Sequence, residues 1–387
     1  MNADGGIARA ETADPVIRTA HVPARAGDAA VRLRAELGPG PHALVILFIS
    51  PEADLEGLTA ALPGCFPDAT VVGCTTGGEI SAEGYAEGAI VAAALPARHF
   101  AAETLLIENL DRLAPQEIIA RLIRARQMLG AARPEWEHEF AFLMVDGLSV
   151  REDELTAVLA AGLGPVPLFG GSAGDGRRFG ATFVLHEGRM HRNAATLSFV
   201  RTECPVRVFN LDHLQPTAVR MVVTEADPAR RSVSRINAEP AAQEYARILG
   251  KDPGQLTPFT FAAHPVVVRI GGRHHVRAIQ QVAPNGELIF FSAIDEGLVL
   301  TLAEPQDMVR HLDRALSALA DPGPPEAILA CDCILRRMEA EEKQMTGAIS
   351  ALFRRHHVVG FSTYGEQLGG MHVNQTLTGV ALYRPAP

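Results

Sequence analysis

The sequence predicts a mixed α/β protein: two related domains of mixed sheet with covering helices, containing three βαβ-like repeat units. One pattern carries most of that prediction. An apolar strand, an amphipathic helix, a second short apolar strand and a small-residue turn follow one another three times, at 43–79, 141–175 and 328–366. The strands are continuous apolar runs, as a sheet covered on both faces requires. At 387 residues the chain also exceeds what one core ordinarily organises, so two domains are expected.

Composition narrows the class. Hydrophobic residues at 47% and charged residues at 21% exclude wholesale disorder. A formal charge of −10 argues against nucleic acid as a partner, because phosphate binding needs clustered Lys and Arg. The arginines of 121–126 fall on an amphipathic helix, where charge is a solvated face. No stretch approaches the roughly 18–20 apolar residues of a membrane span. Met1–Pro15 carries Asp4, Glu11 and Asp14 without an apolar run, so 1–15 is expected to be a disordered tail and the location cytoplasmic. Five scattered cysteines read as free thiols, with Cys331 and Cys333 as buried strand residues.

The first repeat is a strand at 43–50, a helix over 52–62 and a strand ending in the turn at 69–79. A strand at 89–95 and a helix over 114–129 follow, the helix burying Ile118, Leu122 and Leu129 and stopping before Gly130. Pro134 and Trp136 mark a linker-like break at 132–139. The second repeat is a strand at 141–149, a helix over 151–163 and a strand and turn at 165–175, and 181–200 alternates like a hairpin around Glu187-Gly188. A boundary is expected near Gln215-Pro216, giving domains at 16–215 and 216–387. In the second domain Asn237 is read as the cap of a helix that ends at Gly250, with Pro240 in its first turn. Strands at 265–270, 276–282 and 287–293, the last two joined at Pro284-Asn285-Gly286, suggest an antiparallel meander. The third repeat is a strand at 328–333, one long helix through 336–355, and a strand and turn at 357–366.

The turns align residue by residue. Gly73-Cys74-Thr75-Thr76-Gly77-Gly78-Glu79 and Gly360-Phe361-Ser362-Thr363-Tyr364-Gly365-Glu366 share their spacing, and Gly170-Gly171-Ser172-Ala173-Gly174-Asp175 is one residue shorter. Two readings stand side by side. Hydroxyls and carboxylates can close a tight connection by satisfying its free N–H groups. Equally, loops at the carboxyl ends of sheet strands form the ligand crevice in open α/β sheets. On the second reading Thr75, Glu79, Ser172, Asp175, Ser362, Tyr364 and Glu366 line a site, with Arg277 and Asn374 near the ligand. Cys74, Ser172 and Ser362 resemble nucleophile-elbow residues, which makes a hydrolase a rival reading, but the spacing is Gly-x-Ser-x-x-Gly. No Gly-x-Gly-x-x-Gly opens a helix and no Walker lysine follows a turn, which speaks against a nucleotide site.

These segments, VVGCTTGGEI, LFGGSAGDG, INAEPAAQEYARILG, VRAIQ, CDCILRR and VVGFSTYGEQ, occur in order over about 25–387, and on them the chain resembles the FIST (F-box and intracellular signal transduction) family. The resemblance implies FIST N and FIST C sensory domains that bind small ligands and act with kinases, chemoreceptors or cyclic-di-GMP enzymes in bacterial signalling. Both halves are taken up by the FIST-like pattern, so output is expected through a separate protein. Residues 365–383 are also similar to stand-alone FIST haemoproteins that sense nitric oxide and regulate a histidine kinase. That narrower resemblance implies non-covalent haem, with His372 as first candidate axial ligand and His264 as second. His372 is read as opening an alternating strand over 372–377, Met371 as packing on a porphyrin or filling core, and His274 and His275 as exposed in a turn. The expectation is a cytoplasmic sensor and not a catalyst in its own right. The alternatives are an amino-acid or metabolite sensor without haem, a hydrolase, and a pure interaction scaffold.

Overall fold

The computed structural model describes residues 15–385 apart from Gly271 and Pro322, so 1–14 of the expected tail lie outside the described residues. Three six-stranded sheets of one design form its body. The first runs Arg18–Pro23, Ala89–Pro96, His42–Ile49, Thr70–Thr75, Val184–His186, Arg189–His191. The second runs Phe100–Glu108, Ala194–Thr202, His138–Val145, Leu168–Ser172, Glu366–Leu368, Met371–Val373. The third runs Val206–Leu211, Leu377–Leu382, Ala327–Cys333, Val358–Thr363, Glu79–Ser81, Gly84–Ala86. In each, the two central strands are the parallel pair of one repeat.

The outer hairpin of every sheet comes from a different repeat. Hairpin 79–86 follows the first turn but pairs with the third sheet. Hairpin 184–191 follows the second turn and pairs with the first sheet, and 366–373 follows the third turn and pairs with the second. The exchange is cyclic, so no repeat can complete its own sheet.

The inner faces converge on one core. Phe48 stacks on Phe361 at 4.8 Å, Phe142 stacks on Phe169 at 4.8 Å, and Phe48 meets Phe142 edge-on at 6.5 Å. The outer faces carry the helices: Leu58 and Leu62 cover the first sheet, Leu122, Leu155 and Leu159 the second, and Leu312, Leu316 and Phe353 the third. Both faces are therefore apolar, which is why the strands read as unbroken runs.

One position recurs because the backbones press together there. A Cβ at Gly73, Gly170 or Gly360 would lie 2.4, 2.3 or 1.8 Å from the carbonyl oxygen of Leu47, Leu143 or Ala330 on the neighbouring parallel strand. Gly360→Ala should push that pair apart and cost about 1–3 kcal/mol of stability, read from the urea midpoint, as overpacking in a close-packed core does.

The chain leaves the body at Leu214 and returns after Pro305, building an eight-stranded antiparallel lobe between those points. Its path is Arg273–Val276, Val266–Ile270, Val299–Pro305, Leu214–Asp227, Ser232–Ile236, Leu288–Phe290, Ile279–Val282, with Glu239–Pro240 paired to the fifth of these. The two end strands are separated only by Arg277 and Ala278, so the sheet is rolled until its edges nearly meet. Helix Ala241–Leu249 packs Tyr245 into its core with Phe261 and Phe290. Residues 216–387 thus contribute both this lobe and, from Ala327, the third sheet of the body.

Local expectations change where tertiary contacts override them. Asn237 does not cap the helix, which begins at Ala241 after Pro240. Asn237 and Ala238 instead form a turn at positive φ, and the Asn237 side chain accepts from the Val222 N–H at 2.9 Å and donates to Glu244 at 2.8 Å. The long third-repeat helix is two, Ile334–Glu342 and Thr346–Arg355, broken where Gln344 turns to φ 56°. The break turns Ala340 and Phe353 into the same cluster beside the third sheet. Strand 276–282 is split because its halves serve opposite edges of the rolled sheet. The run 372–377 is also split: Val373 ends a strand of the second sheet, Gln375 turns at φ 51°, and Leu377 starts a strand of the third. Gly130 lies within helix Pro115–Ala132, and Trp136 is buried.

Candidate functional site

The three repeated turns meet at the carboxyl ends of the parallel strands, joined by their own backbones. Gly77 N–H donates to the Ser362 carbonyl at 2.8 Å, Ser172 N–H to that of Gly365 at 2.8 Å, and Gly174 N–H to that of Thr75 at 2.9 Å. The turns fill the space between them with one another.

Within that knot the hydroxyls and carboxylates close the crossings. Thr76 donates to Glu79, and Thr363 donates to Glu366 in the equivalent turn. The second oxygen of Glu79 takes the Ala89 N–H at 3.2 Å, and that of Glu366 takes the Thr376 N–H at 3.2 Å and hydroxyl at 2.7 Å. Each carboxylate therefore pins the start of the next sheet strand to the turn. Burial pushes the Glu79 carboxyl up to about 7 and that of Glu366 up to about 8, against these hydrogen bonds. Asp175 takes the N–H groups of Phe179, Gly180 and Ala181 at 2.8, 2.8 and 2.9 Å and the Tyr364 hydroxyl. Burial works against its charge, but the Tyr364 hydroxyl and those N–H groups outweigh it and hold the carboxyl below its usual range. Thr75 accepts from the Phe183 N–H at 3.0 Å. The hydrogen bonds of these residues are made inside the fold.

Beside the third turn, where the body meets the lobe, the opposite holds. His372 Nε2, both amide atoms of Asn374, Gln367 Oε1, Gln375 Oε1, Ser362 Oγ, Ser292 Oγ and Arg277 Nε are buried without a hydrogen-bond partner. The Gln367 amide reaches His372 Nδ1 at 3.1 Å and Ser172 Oγ at 2.9 Å. That contact makes Nδ1 the acceptor, so the unpartnered Nε2 carries the proton. Burial keeps the ring neutral by lowering its pKa, with Glu152 and Asp153 opposing and Arg231 and Arg277 assisting. Gly365 makes room for the group: a Cβ there would meet His372 Cε1 at 2.3 Å and Asn374 Nδ2 at 2.7 Å. Burial also lowers the Arg277 pKa, Asp153 countering and Arg231 adding to the effect.

The lobe is anchored against this cluster. Arg231 reaches Glu152 at 2.8 Å and Asp153 at 3.1 Å across the junction and donates to the Phe291 carbonyl. Phe179 packs on Tyr364 at 4.6 Å and on Phe291 at 5.8 Å, closing one side with rings. Buried polar atoms are ordinarily satisfied, each orphan costing roughly 1–3 kcal/mol. A group of them at one junction therefore stands apart from the rest of the interior.

Haem does not fit at His372. A ligating imidazole must offer iron a lone pair, yet the Gln367 amide donates to Nδ1 at 3.1 Å, and the remaining nitrogen, Nε2, carries the proton in a buried ring. Met371 points outward, 37% exposed, so it neither fills core nor faces a cofactor. His264 caps the short helix Pro258–Ala263 in the lobe, its carbonyl accepting from Tyr245, and among the described residues no hydrogen bond joins it to His372. His274 is exposed and His275 half-buried, in a strand and not a turn. Among the described residues no three His, Cys, Asp or Glu are placed to hold a metal ion. Cys74 is fully buried and its thiol pKa is raised by burial; Ser172 accepts from an amide, and Ser362 has no partner. The cysteines are free.

Sequence reasoning missed Gln367, Gln375, Ser292 and Arg231. It also missed His213, which is buried between Arg336 at 2.8 Å and Glu339 at 2.9 Å. The only signal for that network was the four-residue spacing of Asp332, at the end of strand Ala327–Cys333, and Arg336, in the first turn of the helix that follows.

A body of three sheets that trade hairpins, carrying an antiparallel lobe over a buried polar junction, defines a two-part α/β binding protein. Residues 43–239 match the FIST N domain and 241–368 the FIST C domain. The chain belongs to the FIST family, whose domains are sensors of signal transduction. The two matches abut inside the lobe, just before helix Ala241–Leu249. The chain matches no curated protein. No helix among the described residues is long and apolar enough to cross a membrane.

Proposed function

We propose that this FIST protein is a cytoplasmic, non-catalytic sensor that binds a small zwitterionic metabolite of the amino-acid class at the junction of the third turn and the lobe. It reports occupancy to a separate partner, for which the family resemblance suggests a histidine kinase or a cyclic-di-GMP enzyme. The cluster of unpartnered buried atoms supports the reading. Its donors, His372 Nε2, Arg277 Nε and the Asn374 amide, suit a carboxylate, and its acceptors, the Asn374, Gln367 and Gln375 carbonyls, suit an ammonium group. Binding there would engage both body and lobe, so their relative position is the natural readout. Haem-borne nitric oxide sensing has no comparable support, because the Gln367 amide takes the Nδ1 lone pair of His372 and leaves the proton on Nε2.

The test is a thermal-shift screen of free amino acids and related metabolites, with Asn374→Ala and Arg277→Met alongside. At a hundredfold excess over Kd a ligand adds about 2.7 kcal/mol, a rise of several degrees that both variants should lose. A stoichiometric Soret band after haem reconstitution, or a ligand whose shift survives in both variants, would overturn the proposal.

A further inference from the structure

The far end of the first sheet, where strands His42–Ile49 and Thr70–Thr75 begin, carries a cavity that the junction does not explain. It is a cleft of about 590 Å³ whose walls include His42, Pro63, Phe66, Asp68, Thr70 and Glu187. A smaller cleft of about 360 Å³ shares His42, Phe66 and Asp68 and adds Arg34. The larger volume falls within the range of small-molecule sites, roughly 300–1,000 Å³. Its wall at Glu187-Gly188 is the tip of the hairpin donated by the second repeat, so the cleft exists only in the assembled body.

His42 is the telling residue. It lines both clefts and is 4% exposed, and its ring makes no well-formed hydrogen bond, only a loose approach to the Gly38 backbone. Burial lowers its pKa, the nearby Gly38 carbonyl opposes that, and the charges of Arg18 and Arg34 add to it. The imidazole is therefore neutral and keeps one lone pair free to accept. Around it the larger cleft offers further acceptors: the Thr70 hydroxyl and, at the exposed rim, the carboxylates of Asp68 and Glu187. Phe66 supplies an aromatic wall, and Pro63 and Pro67 complete an apolar lining.

We propose that this cleft is a second ligand site, which takes a small organic amine with an apolar body, the nitrogen donating to His42 and drawn by the Asp68 and Glu187 carboxylates while the body packs on Phe66 and the prolines. An aromatic or aliphatic amine satisfies the orphaned imidazole. Arg34 lines the smaller cleft only, so in the larger one a carboxylate would meet two like charges at the rim, and a neutral alcohol would gain the imidazole without the carboxylates.

The experiment is calorimetric titration of the full chain with phenethylamine, phenethyl alcohol and phenylacetate. The amine is expected to bind best, the alcohol more weakly and phenylacetate not at all. His42→Phe, which fills the ring's place without an acceptor, should weaken the amine about tenfold, the worth of one hydrogen bond to a buried group. Asp68→Asn with Glu187→Gln, both exposed and harmless to folding, should bring the amine down to the alcohol. Asn374→Ala at the junction should leave all three unchanged, which separates this site from the one above. No amine binding at millimolar concentration, equal binding of amine and alcohol by the wild type, or amine binding unaffected by the paired rim substitutions would overturn the assignment.

Discussion

Replacing Arg336 by alanine should cost about 3–5 kcal/mol of stability, the largest loss expected of any single side chain here. Arg336 is fully buried, 1% exposed, with Nε on Asp332 at 2.8 Å and a terminal nitrogen on His213 Nδ1 at 2.8 Å. Because Arg336 can only donate, His213 Nδ1 accepts, Nε2 carries the proton, and that proton goes to Glu339 at 2.9 Å. Lys343 completes the chain on Glu339 at 2.7 Å, and Tyr85 donates to the far oxygen of Asp332. Burial opposes the charges of Arg336 and Glu339, yet their partners outweigh it, keeping the guanidinium pKa raised and the carboxyl pKa lowered.

The cost is large because of what remains. Alanine would strand the Asp332 carboxylate in the interior with only a tyrosine hydroxyl. The network also ties hairpin 79–86 of the first repeat to the third sheet and to His213, just before the chain enters the lobe. Urea denaturation would measure the loss. Arg336→Met, which keeps volume, should recover little, whereas adding Asp332→Asn should restore much of it by removing the stranded charge. A loss below about 1 kcal/mol for the alanine variant would mean the interior there is wet.

The repeat, its strands and its glycine turns were legible because each rests on local pattern: unbroken apolar runs, helical spacing, and glycine where backbones touch. The exchange of hairpins was not. Glu79–Ser81 and Glu366–Leu368 are three residues long, too short for alternation to declare a partner, and their pairing is settled by the turns that aim them. The same limit divides the site. Thr75, Glu79, Asp175 and Glu366 stood out as turn chemistry, and turn closure is what they perform. Gln367, Gln375 and Ser292 are ordinary residues in the sequence. They matter only because folding buries an atom of each and supplies no partner, which no spacing rule reports.

The stability of the protein should fall as pH rises from 7 to 8.5, and Glu366→Gln should remove part of that fall. Burial lifts the Glu366 carboxyl from its ordinary value near 4.5 to about 8. A folded pKa above the unfolded one means the folded state holds a proton the unfolded chain has released. Stability from this group is therefore full below 4.5 and lost as pH rises through about 8, at up to about 1.4 kcal/mol per pH unit. Glu79, lifted to about 7, adds the same sign over a lower window. Buried histidines such as His213 and His372, whose folded pKa values are lowered, act oppositely, since they gain stability as pH rises toward the unfolded value near 6.5. Above pH 7 they are neutral in both states, so the carboxylates set the slope there, joined toward pH 8.5 by buried thiols such as Cys74, Cys331 and Cys333, whose raised pKa values act with the same sign. Glutamine is neutral at every pH; its Oε1 can accept from the Thr376 N–H and hydroxyl while its amide donates to a reversed Thr363 hydroxyl, so the variant should match wild type near pH 5 and exceed it at pH 8.5. Urea midpoints at both pH values decide the matter. A wild type more stable than the variant at pH 8.5 would show that the hydroxyl and N–H donors of Thr363 and Thr376 defeat burial and hold Glu366 ionised in both states.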